Sequence, residues 1–312
     1  MNLAKNNLEN REALKTETFF FLFIWFGFYV AGMICVQIFA ALSALPDFAL
    51  IMNGITKGEY LEYLDTLKVL QLVLHLFQYI IPSLVFLFLY HKKTALKKVY
   101  ADQKPSIKNI VWSIFLILSI YPFISFVYYW NTQLLPDGAI SQHKLDIQKV
   151  FLEMDSPKDL ILNLLLLGLA AGIGEEFLFR GILQRLLTLW TKNIHFGAIL
   201  TGFIFSLMHF QLEGFFPRFL LGVLFCYLLI FTGNLWITVI VHVCFNSVQV
   251  IIPYFYPNMA ENISEVQSTT PLAAISSCFV FLLFLAIFKK MNQEYKYIKI
   301  KTNNNNINEF KN

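Results

Sequence analysis

Between residues 18 and 288 the chain returns repeatedly to apolar runs close to the ~20 residues that carry a helix across a bilayer, and nothing else in it constrains the fold as strongly. Hydrocarbon offers no partner to a backbone N–H or C=O, so a chain built from such runs must satisfy them internally, as helices do. Composition agrees: 57% of the side chains are hydrophobic and 14% charged, whereas soluble domains carry roughly 25% charged residues. The runs predict about eight spans, at 18–45, 67–90, 109–130, 157–190, 194–210, 216–231, 235–252 and 272–288. The expected fold class is all-α, a polytopic transmembrane helical bundle.

Charge placement sets the expected orientation. Lys92, Lys93, Lys97, Lys98, Lys104 and Lys108 crowd the loop after the second span, and Lys289, Lys290, Lys296, Lys299, Lys301 and Lys311 follow the last. The loop at 46–66 has Asp47, Glu59, Glu62 and Asp65 against Lys57, and 253–271 has no basic residue. Lysine collects on cytoplasmic loops, which places both termini in the cytoplasm. The net charge of +4 therefore reports topology; nucleic acid is not an expected partner, because the lysines border apolar spans. Cys35, Cys226, Cys244 and Cys278 lie in apolar runs without metal-binding spacing and read as small buried hydrophobes. The first apolar run exceeds the ~7–15 residues of a signal-peptide core and reads as a retained span.

One stretch breaks the apolar pattern. At 171–180 the chain reads Ala-Gly-Ile-Gly-Glu-Glu-Phe-Leu-Phe-Arg. An ionisable group at mid-bilayer costs about 2.5 to 3.5 kcal/mol on insertion scales, so Glu175, Glu176 and Arg180 must face a protein interior or a wet cavity. Neighbours on an α-helix point about 100° apart, which gives the two carboxylates different tasks. Glu176 and Arg180 stand at i and i+4 with the acid first, the favourable order for a pair on one face. They are expected to serve structure and electrostatic support, leaving Glu175 without a local partner. Burial of an unpaired carboxylate disfavours its charged form, a property that suits a general base.

Two further apolar runs bring matching chemistry. Phe205 precedes His209 by four residues, and His242 precedes Asn246 by four, one turn apart on one face. His91 and His143 fall in expected loops, His195 at a span end, and His75 stands isolated in the second span; none of these four enters the expected site. Glu, His, His and Asn suit hydrolysis. Glu175 takes a proton from a water held between it and His209, the hydroxide attacks an acyl carbon, and His242 and Asn246 donate hydrogen bonds to the oxyanion. The same set could instead bind Zn2+ through Glu175, His209 and His242 with a fourth position open to water. Gly168, Gly172 and Gly174 are expected either to let helices approach closely or to bring substrate backbone near Glu175.

In their order, Glu175-Glu176-x-x-x-Arg180, Phe205-x-x-x-His209 and His242-x-x-x-Asn246 resemble the three motifs of the CPBP family, also called Abi, which includes CAAX prenyl endoproteases and bacteriocin-processing and self-immunity proteins. The resemblance covers roughly 160–252. It implies an intramembrane endopeptidase acting on a membrane-associated, prenylated or other peptide or protein substrate, with Glu175 and His209 on the water and His242 and Asn246 at the oxyanion. Both the zinc and the metal-free glutamate mechanism stay open. The expected organisation is a cytoplasmic segment at 1–17, a bundle at 18–288 with its catalytic core at about 157–252, and a basic, Asn-rich cytoplasmic tail at 289–312. The expected setting is a bacterial inner membrane, with lipid as a partner. The rival readings are a non-catalytic binding or immunity protein and a proton-coupled transporter, the latter disfavoured because no internal repeat is evident.

Overall fold

The computed structural model describes residues 2–43, 45–136, 138–140, 142–256 and 269–292; the expectations for the loop at 257–268 and for the tail at 293–312 fall outside these described residues. Among the described residues all regular structure is helical. In chain order the helices are α1 (Asn2–Leu42), α2 (Phe48–Ile55), α3 (Leu61–Lys98), α4 (Ile107–Leu134), α5 (Gln142–Leu152) and α6 (Pro157–Thr191). They continue with α7 (Ile194–Leu207), α8 (Phe215–Thr232), α9 (Leu235–Phe255) and α10 (Pro271–Met291).

Seven of these, α1, α3, α4, α6, α8, α9 and α10, are long and apolar enough to cross a membrane. Their outer faces carry large exposed apolar side chains, such as Phe19 and Phe23 on α1 and Leu272, Ile275 and Phe279 on α10. In water that much contiguous apolar surface would drive association; against lipid it is the ordinary covering. This is a multi-pass membrane protein.

The expected fifth span, 194–210, is shorter than the sequence suggests. α7 has 14 residues and at 1.5 Å per residue reaches about 21 Å, against a hydrocarbon core of about 30 Å. It stops at Leu207, and Phe210 adopts a left-handed backbone with φ 50°. The turn to α8 is held by polar groups of the bundle. Asn131 Nδ2 donates to the carbonyls of Leu212 and Glu213 at 2.7 and 2.8 Å, and Arg218 donates to Gln211 Oε1 and O at 2.9 and 2.7 Å. Irregular backbone is tolerated at membrane depth when protein satisfies it in this way. His209, expected near the end of a helix, therefore sits in a pinned turn.

α6 runs through the middle of the bundle, and its glycines decide what it touches. A Cβ at Gly172 would lie 2.5 Å from Val243 Cγ2 and 3.0 Å from Val243 N, and one at Gly168 would lie 2.7 Å from Ser247 Oγ, both on α9. One at Gly174 would lie 2.8 Å from Tyr79 Cβ on α3. Of the two expectations for these residues, close helix approach accounts for all three contacts. Two stretches of α6, Leu164–Ala170 and Glu176–Leu183, and two of α3, Leu76–Ile80 and Leu87–His91, have the wider turn of a π-helix. Such turns free carbonyls and re-aim side chains, and they gather at functional sites.

The lysine-rich ends meet at one end of the bundle. Asn234 Nδ2 donates to Gln103 O at 3.0 Å, Trp236 Nε1 to Ala101 O at 2.9 Å, and Asn109 Nδ2 to Asn292 Oδ1 at 2.9 Å. His91, expected in a loop, belongs to the last turns of α3 and meets the buried carboxylate of Glu17 at 2.9 Å, which Arg185 also contacts. At the opposite end α2 and α5 pack as a small cap, where Ile51, Ile55 and Leu67 contact Ile147, Val150 and Phe151.

Candidate active site

α6 supplies the acids. Glu175 ends a short α-helical stretch and Glu176 begins the wide turn after it, so the two carboxylates diverge at the point where the helix changes pitch. Glu176 is 0% exposed and Glu175 7%, which leaves Glu175 as the acid with access to a small molecule.

Glu176 does more than the expected pairing. Its Oε1 accepts from Arg180 Nη1 at 2.8 Å and lies 2.7 Å from His242 Nδ1. Since a carboxylate only accepts, Nδ1 must carry the proton, and the ring presents Nε2 toward Glu175, whose Oε2 is 3.8 Å away. The expected Glu176–Arg180 pair is present, and Glu176 is in addition the carboxylate nearest His242. The i, i+4 spacing identified the Arg180 pair, but a contact across two helices has no local signature.

Arg180 is fully buried, donates from Nη2 to Gly222 O at 3.2 Å, and lies under two rings, with Cζ 4.5 Å from the centre of Phe205 and 5.2 Å from that of Phe225. Desolvated cation–π contacts of this kind contribute up to about 2 kcal/mol. Phe205 also meets the rings of His209 and His242 edge-on at 4.9 and 6.3 Å, and Phe225 stacks on His242 at 4.8 Å. Phe205 thereby joins the motif elements on α6, α7 and α9. Phe225, on α8, lies outside the three motifs and was not expected in the site.

His209 reaches the same centre from its turn. Its Nδ1 is 2.9 Å from Phe205 O, and a carbonyl can only accept, so Nδ1 is the protonated atom and Nε2 carries the free lone pair of the neutral ring. The charge of Glu175 is felt at His209 and also at His75. Asn246 sits one turn beyond His242 on α9 and donates from Nδ2 to Leu167 O at 3.0 Å. Leu167 lies within a wide turn of α6, so Asn246 satisfies a carbonyl in a stretch that the regular helix ladder serves less well. A primary amide has two N–H donors, and this contact uses one.

Zinc finds no assembled cage. Among the described residues no three His, Cys, Asp or Glu side chains gather as metal ligands. His242 Nδ1 and His209 Nδ1 are held by Glu176 and the Phe205 carbonyl, the outer contact that a metal-bound imidazole also makes, so the atoms that would meet an ion are the two Nε2 atoms and Glu175 Oε2, the last 3.8 Å from His242 Nε2. Among the described residues these three stand as a loose set and not as an assembled site.

His75 and Tyr79 on α3 were left out of the expected site, His75 because it stands alone in its span. Their rings lie 4.5 Å apart, and both residues border Gly174, immediately before Glu175. Only the packing of α3 on α6 places them there.

Residues 157–248, from the start of α6 into α9, match the family model described as Type II CAAX prenyl endopeptidase Rce1-like. This is the CAAX protease family that the three motifs resemble, and the matched segment contains all of them. Comparison with curated proteins gives no match, and comparison with solved structures gives none either.

Proposed function

We propose that the protein is an intramembrane endopeptidase of the CAAX type that activates water with a glutamate. The observation that carries this reading is the division of labour between neighbouring acids: Glu176 is consumed by Arg180 and His242, while Glu175 faces His242 Nε2 across a gap and is not fully enclosed. The family match over 157–248 supports a hydrolase of peptide bonds.

The steps follow from the atoms. A water lies between Glu175 and the Nε2 lone pair of His209; Glu175 takes one proton, and the water oxygen bonds to the acyl carbon while the carbonyl electron pair moves onto its oxygen. That oxygen is met by the Nε2–H of His242 and by the second N–H of Asn246. The mechanism needs both ring nitrogens of His242 protonated. Glu176, on Nδ1, stabilises the charge this places on the ring, as a buried carboxylate does for a catalytic imidazole. The tetrahedral centre then collapses, the C–N bond breaks, and the proton held by Glu175 passes to the leaving amine.

The substrate class is a membrane-associated peptide, prenylated at a C-terminal Cys-containing motif or otherwise lipid-anchored, and the setting is a bacterial inner membrane with the lysine-rich end in the cytoplasm. The test is cleavage of a fluorogenic prenylated peptide by the purified protein in lipid vesicles. Glu175→Ala and His209→Ala should each abolish cleavage without changing the melting temperature. No cleavage by the wild type, with the cellular phenotype unchanged in both variants, would favour a binding or immunity protein. Proton flux coupled to solute uptake would favour a transporter.

A further inference from the structure

The imidazole of His75 is a buried polar group beside the site that the mechanism above does not use. Its Nε2 is enclosed and has no hydrogen-bond partner. A buried donor or acceptor left unmade costs about 1 to 3 kcal/mol, so such an atom calls for an explanation. The atom lies against the helix that carries the acids: a Cβ on Gly174 would stand 3.6 Å from it, and Glu175 is the next residue. His75 interacts electrostatically with Glu175, His209 and His242 together. Its ring is braced 4.5 Å from Tyr79, which in turn meets Phe179 of α6 at 6.1 Å. The wide turn Leu76–Ile80 begins at the following residue, so α3 departs from regular helix where it faces Glu175, as α6 does.

α6 is held between α9, through Gly168 and Gly172, and α3, through Gly174. Glu175 therefore has an imidazole on either side, His242 from α9 and His75 from α3. From this arrangement we infer that His75 is a third imidazole of the active site, whose Nε2–H donates a hydrogen bond to the water that Glu175 activates. The inference rests on the endopeptidase reading and completes its water site. Water has two protons and two lone pairs. One proton is transferred to Glu175, while the other stays on the oxygen and is hydrogen-bonded to the lone pair of His209 Nε2; one lone pair attacks the acyl carbon, and the remaining one accepts from His75. No proton leaves His75 in the step. Its contribution is to fix where the oxygen sits, and the unpartnered Nε2 is a donor waiting for that oxygen.

The test uses the full chain in lipid vesicles with a fluorogenic prenylated peptide. His75→Leu removes an Nε2 that has no partner in the protein and exchanges the ring's packing on Tyr79 for an apolar side chain, so the melting temperature should change little while kcat falls at least about tenfold at unchanged KM, a modest share of what a positioned polar group contributes. His75→Gln, which can place an N–H near the same point, should recover part of the loss. A second readout separates positioning from packing: the His75→Gln recovery should appear in kcat, with KM and the melting temperature unchanged. Wild-type kcat in His75→Leu, or a His75→Gln enzyme no more active than His75→Leu, overturns the inference and leaves the endopeptidase reading standing, provided Glu175→Ala is inert. Cleavage retained by Glu175→Ala overturns activation of the water by Glu175, and the water site with it.

Discussion

Glu176 Oε1 holds Arg180 Nη1 and His242 Nδ1 at once, at 2.8 and 2.7 Å, and so couples the charge of α6 to the imidazole of α9. One oxygen thereby neutralises a buried guanidinium and orients a ring. Removing it has two separable consequences. Glu176→Ala leaves Arg180 buried without its counter-charge, and breaking a buried pair from one side costs about 3 to 5 kcal/mol. The variant should melt well below the wild type in detergent. Glu176→Gln keeps an acceptor oxygen and most of the packing, yet no longer stabilises a charged His242; it should melt closer to the wild type while kcat drops at least about a hundredfold. A Glu176→Gln enzyme with normal kcat would show that His242 does not depend on this carboxylate.

Asn246 contributes one N–H to Leu167 O and keeps the other for the oxyanion. Asn246→Ala should reduce kcat by about 10² to 10³, the usual cost of one oxyanion donor, with little change in KM. Asn246→Asp keeps the size but replaces both donors with acceptors facing a developing negative charge and should be at least as damaging. Steady-state kinetics on the two variants checks this. Asn246→Asp more active than Asn246→Ala would place Asn246 outside the oxyanion site.

Much of this was legible in the chain, and the limits have physical causes. Spanning helices announce themselves because hydrocarbon demands long apolar runs, and α4, α9 and α10 fall close to where those runs lie. The Glu176–Arg180 pair was legible because an i, i+4 contact is local. The end of α7 was harder to place: Met208 and Phe210 continue the apolar run past Leu207, and the groups that hold the turn, Asn131 and Arg218, are donated by α4 and α8. The wide turns of α6 carry no residue signature, so a regular helix was assumed where the pitch changes between Glu175 and Glu176. His75 was passed over because its span offers no second polar partner; its partners arrive only when α3 packs on Gly174.

The contact of Gly172 with Val243 predicts a sharp size limit on α6. Val243 follows His242, and its backbone N would lie 3.0 Å from a Cβ on Gly172. That atom cannot yield as a side chain does, so α9 itself must shift. Gly172→Ala should lower kcat by at least about tenfold, since small misplacements of catalytic groups cost that much or more, and Gly172→Leu should prevent stable folding. Gly27, whose Cβ would meet nothing within 4 Å, is the control: Gly27→Ala should be neutral or mildly stabilising. Cleavage rates and detergent melting curves for the three variants decide the point.

The tautomers of the two histidines bear on metal dependence. The Glu176 carboxylate fixes the proton of His242 on Nδ1, and the Phe205 carbonyl fixes that of His209 on Nδ1, so both rings keep Nε2 for other partners, that of His242 standing 3.8 Å from Glu175. The two imidazoles nevertheless have different tasks in the proposed water mechanism: His209 Nε2 accepts, while His242 Nε2 must carry a proton to meet the oxyanion. A divalent ion would require lone pairs from both at once and would reverse the role of His242. Without an assembled ligand group among the described residues, cleavage should survive exhaustive chelation, and added Zn2+ should inhibit by capturing the two Nε2 atoms. The measurement is metal content beside the single-turnover rate of the purified protein before and after treatment with chelator. Loss of activity that returns in proportion to restored metal would replace the glutamate mechanism with a metal-assisted one.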